Sequence, residues 1–140
     1  MGTEIKKDAD SYSIELETII ENITRVVEKE STAFQHLLNA LLEQQASILK
    51  GDSDSVSNSN DKVEKIVQET KNLEKQRTYE AQLLSDHFNV KIDENQMLTD
   101  LIPHVEDKYA KRLAELREII QMVMQKIRKT NKRNQYLLNN

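Results

Sequence analysis

Three histidines, a serine-rich stretch and a short acidic run are the residues of this 140-residue chain whose types suit catalysis or metal binding. His36, His87 and His104 stand far apart. None belongs to a Glu-x-x-His pair, the spacing that brings a carboxylate and an imidazole together inside metal-binding helical bundles. Asp52-Ser53-Asp54 opens like a calcium loop, but the sixth position is Ser57 where the loop's sharp turn needs glycine. The twelfth is Val63, where a bidentate glutamate belongs. Ser53, Ser55, Ser57 and Ser59 have no histidine nearby in sequence to act as a base. Gly2 and Gly51 are the only glycines, too few for a loop that cradles phosphate, and the absence of cysteine excludes disulfides and thiolate metal sites. These patterns predict no enzyme, no metal and no cofactor.

What the sequence does carry is helix. One proline, two glycines, no tryptophan and a charged fraction of 31% describe a chain poor in the residues that strands and tight turns use. Alternating steps of four and three residues mark a first seam through Leu16, Ile20, Ile23, Val27, Glu30, Phe34, Leu37, Leu41, Gln44 and Ile48. Ser11 or Ser13 is the expected N-cap, and Gly51 the left-handed residue that ends the helix. The polar run from Gly51 to Asn60 has loop propensity. Yet Val56, Val63, Ile66 or Val67, Thr70 and Leu73 extend one helical stripe back through it, so a second helix is expected from about Asp54 after a tight turn, with Asp52 or Ser53 as cap.

That second stripe continues through Ala81, Leu84 and Phe88, with Arg77 where an apolar residue would belong. A seam arginine can pack its stem and pair its guanidinium, so Arg77 is expected to be a structural polar residue. Periodicity lapses from Asn89 to Asp100, which predicts a connection with a short helical piece covering one end of the core. Pro103 is expected in the first turn of the last helix, capped by Asp100 or Thr99. The last seam runs Tyr109, Leu113, Leu116, Ile120, Val123, Ile127, Thr130, Asn134, Leu137. Around Ile119, Ile120, Met122, Val123 and Met124 the apolar surface is wider than one narrow seam requires.

Each of the three segments has an apolar stripe it cannot bury alone. The expected fold is therefore all-α: an elongated, antiparallel, coiled-coil-like three-helix bundle with a short helical connector before the last helix. Residues 1–140 are read as one domain, with helices at about 12–50, 54–88 and 102–138. A long hairpin that dimerises is the competing arrangement, and a homo-oligomer is compatible with such seams.

Charge is uneven. Residues 1–103 carry 20 acids against 11 bases, whereas residues 104–140 carry 9 bases against 4 acids. Bases near a helix carboxyl end complement its dipole and keep a solvated face soluble, the first reading of the cluster Lys126, Arg128, Lys129, Lys132 and Arg133, with an acidic partner or nucleic acid as the alternative. Only Tyr136 interleaves with it, too few aromatics for stacking on single-stranded nucleic acid. The residues after Met1 lack the apolar run of a signal peptide and no segment reaches the length of a membrane span, so a cytoplasmic protein with no membrane insertion is expected.

Three stretches, in order, resemble the FlgN family of flagellar type III export chaperones. They are Phe34-x-x-Leu37-Leu38-x-x-Leu41-Leu42-Glu43 running on to Ile48-Leu49-Lys50-Gly51-Asp52, then Leu73-Glu74-x-x-Arg77, then Asn131-x-x-Asn134-x-x-Leu137-Leu138. Val56 departs from the leucine more frequent in the family. The resemblance implies a chaperone of the bacterial flagellum that binds the terminal helical segments of hook-associated (hook-filament junction) proteins. It would prevent their premature association and deliver them to the flagellar type III export apparatus, with no nucleic-acid partner. Ile119, Met122, Val123, Met124 and Ile127 are then candidate client contacts, with Leu137 and Leu138 as a terminal anchor, although Val123 and Ile127 also fit ordinary core. Flexible methionines suit a surface that accepts related helices. Arg77 and Asn134 are expected to fix bundle register. A structural coiled-coil or adaptor subunit without chaperone activity is the alternative reading of the same seams.

Overall fold

A computed structural model describes residues 2–88, 91–93 and 96–140, with side chains from Ile14 onward and without that of Phe88. Every regular element among them is helical: α1 (Gly2–Lys50), α2 (Ser53–Phe88), α3 (Met97–Leu101), a 3₁₀ turn (Ile102–His104) and α4 (Asp107–Asn139). The first helix thus begins at Gly2, well before the expected start near residue 12. Ser11 and Ser13 lie within it instead of capping it, because nothing between Thr3 and Lys50 breaks a helix. Their side chains, like that of Phe88 on the second seam, lie outside the described residues.

α1 buries more than one stripe. Beside the expected Ile20, Ile23, Val27, Glu30, Leu37 and Leu41, it also buries Ile19, Thr24, Ser31, Ala33, Ala40 and Ser47. Most of these additions are small, which lets a second helix approach closely. Thr24 removes its hydroxyl from the balance by donating to the Ile20 carbonyl one turn back at 2.8 Å. α2 and α4 both pack along α1, while their own backbones approach each other at hardly any point. Contacts to α1 run in reverse order along α2 (Gln44 to Asn60, Glu30 to Arg77, Glu15 to His87). They run in the same order along α4 (Glu21 to Tyr109, Glu28 to Arg112, Leu41 to Asn134).

The turn between α1 and α2 is as short as the sequence allows. Gly51 has φ +72°, and its N–H donates to the Ile48 carbonyl at 3.1 Å, a closure that side-chain-bearing residues adopt with strain. Asp52 caps α2, one carboxylate oxygen accepting the N–H groups of Asp54 and Ser55. The following serines are helical because tertiary partners take up their side chains. The Ser47 hydroxyl bonds those of Ser55 and Ser59 at 2.8 and 3.0 Å, and Gln44 donates to Asn60 at 2.6 Å. Hydroxyls that would otherwise compete with the helical backbone thus join α2 to α1.

Apolar packing falls into two clusters. One gathers Ile19, Ile20, Ile23, Val27, Ala81, Leu84, Leu113 and Leu116 with Met97 and Leu101 of the connector. The other joins Leu37, Leu41, Val123 and Ile127, with Phe34, Val63, Ile66, Val67 and Met124 against them. α3 covers one end of the first cluster with two almost fully buried side chains. Pro103 lies in the 3₁₀ turn and not in the last helix, and Asp100 accepts the Asp93 N–H at 3.1 Å instead of capping α4. The interruption follows from tertiary packing: Val105, extended at φ −112° and ψ 161°, packs its side chain on the first cluster, and the chain restarts helix at Asp107.

A methyl group added at Gly51 would meet no neighbouring atom within 4 Å, so a side chain there encounters backbone strain alone. Gly51→Ala is expected to destabilise the protein by about 1 kcal/mol, roughly 3 °C in thermal midpoint, and Gly51→Asn by less, since asparagine tolerates the left-handed region. Thermal unfolding followed by circular dichroism checks both.

Candidate binding groove

Because α2 and α4 diverge over α1, a groove of about 570 Å³ lies between them. Glu30 and Phe34 of α1 form its floor. Thr70, Glu74, Arg77 and Thr78 of α2 form one wall, and Arg117, Ile120, Gln121, Met124 and Arg128 of α4 the other. Gln96, Met97, Leu98 and Thr99 of the connector segment close one end, where Arg117 reaches the Thr99 hydroxyl at 3.4 Å. On both walls the lining residues recur at helical spacing, so each helix contributes one stripe.

Glu30 and Arg77 set the electrostatics of the floor. Arg77 Nε donates to Glu30 Oε1 at 2.8 Å, and both side chains are largely removed from water. Burial pushes the Glu30 carboxyl above the ordinary glutamate range; Arg77 pulls it down, and Glu74 pushes it up again. Desolvation therefore outweighs the ion pair, as for most buried pairs. Since the folded state holds this proton more tightly than the unfolded chain, the contribution of Glu30 to stability is full below its unfolded pKa. It declines as pH rises through the folded value. The pair lies between the two apolar clusters.

The other expected site residues separate into three groups. Val123 and Ile127, each 8% exposed, belong to the second apolar cluster and are core rather than contact residues. Met124 is half-buried and lines the groove. Ile119 and Met122, 37% and 55% exposed, face away from it, because residues two apart on a helix point about 200° apart, which separates Met122 from Met124. Leu137 is half-buried, and Leu138 is 52% exposed two heptads beyond Met124, on the same stripe of α4. Asn134, 1% exposed, donates both amide hydrogens to α1, to the Leu41 carbonyl at 2.8 Å and Gln44 Oε1 at 3.0 Å, while its own carbonyl oxygen has no partner.

Sequence reasoning missed the groove itself. Arg117, Ile120, Gln121 and Arg128 share the stripe of Met124, a pattern visible in the sequence. That α2 stays clear of this stripe is not. Among the described residues, no group of three or more His, Asp or Glu side chains comes together to hold a metal ion, and no helix is long and apolar enough to cross a membrane.

Removing one member of the buried pair leaves the other uncompensated. Arg77→Met is expected to lower stability by about 3 kcal/mol at pH 7, with part of the loss regained at pH 5 as Glu30 takes up its proton. Arg77→Met combined with Glu30→Met should lie within about 1 kcal/mol of the parent, because no buried charge remains. Urea unfolding of the three proteins at both pH values measures this.

A family model described as FlgN protein matches residues 19–140. No curated protein and no solved structure matches the chain. The matched span contains the whole groove, with the Leu73-Glu74-x-x-Arg77 motif supplying two residues of its α2 wall and the Arg77 partner of Glu30. The chain belongs to the FlgN family.

Proposed function

We propose that this protein is a cytosolic flagellar export chaperone. It holds the terminal helical segment of a hook-associated protein, keeps it from premature association and passes it to the type III export apparatus without catalysis of its own. The working unit in this reading is a single domain, a bundle of three long helices whose connector closes one end. Family membership supports the chaperone role, and one observation carries the binding mode: the open groove between α2 and α4, with Phe34, Met97, Ile120 and Met124 among its lining.

The groove is open to solvent and has a stripe of one helix on each side, so one face of a further helix can lie in it while the other stays outside. That is the geometry of a helix laid into a groove, with apolar anchors at i, i+3, i+4 and i+7 pointing inward. Methionine at the contact adapts to anchors of different shape, which suits a chaperone with related clients. Leu138 extends the same stripe beyond the groove and offers a further anchor.

The opposite placement of the two methionines provides the test. Met124→Asp is expected to reduce recovery of hook-associated proteins in copurification from a flagellated cell at least tenfold, with the helical content retained and the thermal midpoint lowered by about 5 °C, since Met124 also packs on the second apolar cluster. Met122→Asp should leave recovery unchanged. The reverse pattern would move the client to the outer face of α4. Failure of the parent protein to recover any flagellar client would favour a structural coiled-coil subunit.

A further inference from the structure

We infer that the helix this groove accepts is acidic along one flank, with two carboxylates about three turns apart that pair with Arg117 and Arg128. The inference rests on the chaperone reading of the same groove and adds the chemistry of the occupant. Arg117 and Arg128 stand at the two ends of the α4 wall, with Ile120, Gln121 and Met124 between them. Eleven residues bring an α-helix back to nearly the same side, so the two guanidinium groups flank one apolar stripe at a separation of ~16 Å along the axis.

Two other arginines that reach α1 already have carboxylates. Arg77 is held by Glu30, and Arg112 by Glu28 and Glu115. Among the described residues Arg117 reaches only the Thr99 hydroxyl, and neither Arg117 nor Arg128 has a carboxylate partner. The opposite wall has the contrary character: Glu74 with the hydroxyl-bearing Thr70 and Thr78, its arginine turned down onto Glu30. An amphipathic helix lying between these walls meets cations and the apolar Ile120 and Met124 on one flank, a carboxylate and hydroxyls on the other, and Phe34 beside the Glu30–Arg77 pair beneath. Acids toward α4 complement this pattern, and bases there oppose it. The excess of bases in residues 104–140 favours the approach of such a helix although the whole chain is negative.

The test uses the full chain and a labelled, designed helical peptide with leucines at i, i+3, i+4 and i+7 and two glutamates eleven residues apart on one flank. Peptides with glutamine or lysine at those two positions, and one with the glutamates seven apart, complete the set. Fluorescence anisotropy at low salt should show the eleven-spaced glutamate peptide binding about tenfold tighter than the glutamine and seven-spaced peptides, with the advantage largely lost near ~0.5 M salt. Arg117→Glu combined with Arg128→Glu should invert the order, so that the lysine peptide binds best. Lys126→Glu combined with Lys129→Glu changes the charge equally on exposed positions outside the groove and should preserve the original order. Equal binding of the glutamate and glutamine peptides, or loss of the preference in the Lys126/Lys129 variant, overturns the inference. Either result leaves the chaperone reading standing if hook-associated proteins still copurify with the parent, whereas their absence counts against that reading itself.

Discussion

α1 has more surface to bury than one partner helix can cover, and the arrangement of the other elements follows from that. Its large apolar residues, Ile20, Ile23, Val27, Leu37 and Leu41, are joined in the interior by Ile19, Thr24, Ser31, Ala33, Ala40 and Ser47. Two helices must therefore lie on it at once. A third contact, between α2 and α4, would be needed to seal the remaining side; their backbones hardly approach each other, and Glu74 and Arg77 face Ile120 and Met124 across an open groove. The groove is the consequence of two helices sharing a common support without covering each other.

Polar interactions also join both partner helices to that support. Glu30 and Arg77 meet between two apolar clusters that would by themselves tolerate sliding, since leucine and isoleucine seams differ little from one heptad to the next. Burial raises the Glu30 carboxyl more than Arg77 lowers it, so desolvation offsets the attraction within the pair. The pair joins α2 to the middle of α1. Asn134 acts similarly on α4 through Leu41 and Gln44, and the Ser47, Ser55 and Ser59 hydroxyls act on α2 beside the turn. These contacts lie at the middle and the carboxyl end of α1, and between them they involve both partner helices.

The same placement gives α4 distinct faces. One is core, through Leu113, Leu116, Val123 and Ile127. The next carries Arg117, Ile120, Met124 and Arg128 into the groove. The far side exposes Ile119 and Met122. An apolar surface wider than a coiled-coil seam thus has two separate explanations, because the broad stretch from Ile119 to Met124 encircles the helix instead of forming one patch. The basic residues divide likewise, between the groove wall and solvent.

Local chemistry was legible in the sequence wherever a single segment decides the outcome. Helical periodicity, the left-handed Gly51, the Asp52 cap and the seam positions of Arg77 and Asn134 each depend on residues a few places apart, and the chain's family likeness rests on such local patterns. The start of α1 and the interruption after Leu101 were less legible. Serines that suit a cap also fit within a long helix when nothing breaks it, and Val105 leaves helical geometry to reach a core formed by distant residues. Tertiary structure alone decided that α2 and α4 diverge, that Met122 and Met124 serve different faces of the assembled molecule, and that Arg117 and Arg128 border a shared cleft. Periodicity reports which side of its own helix a residue occupies. What stands opposite that side is set by the packing of two other helices against α1.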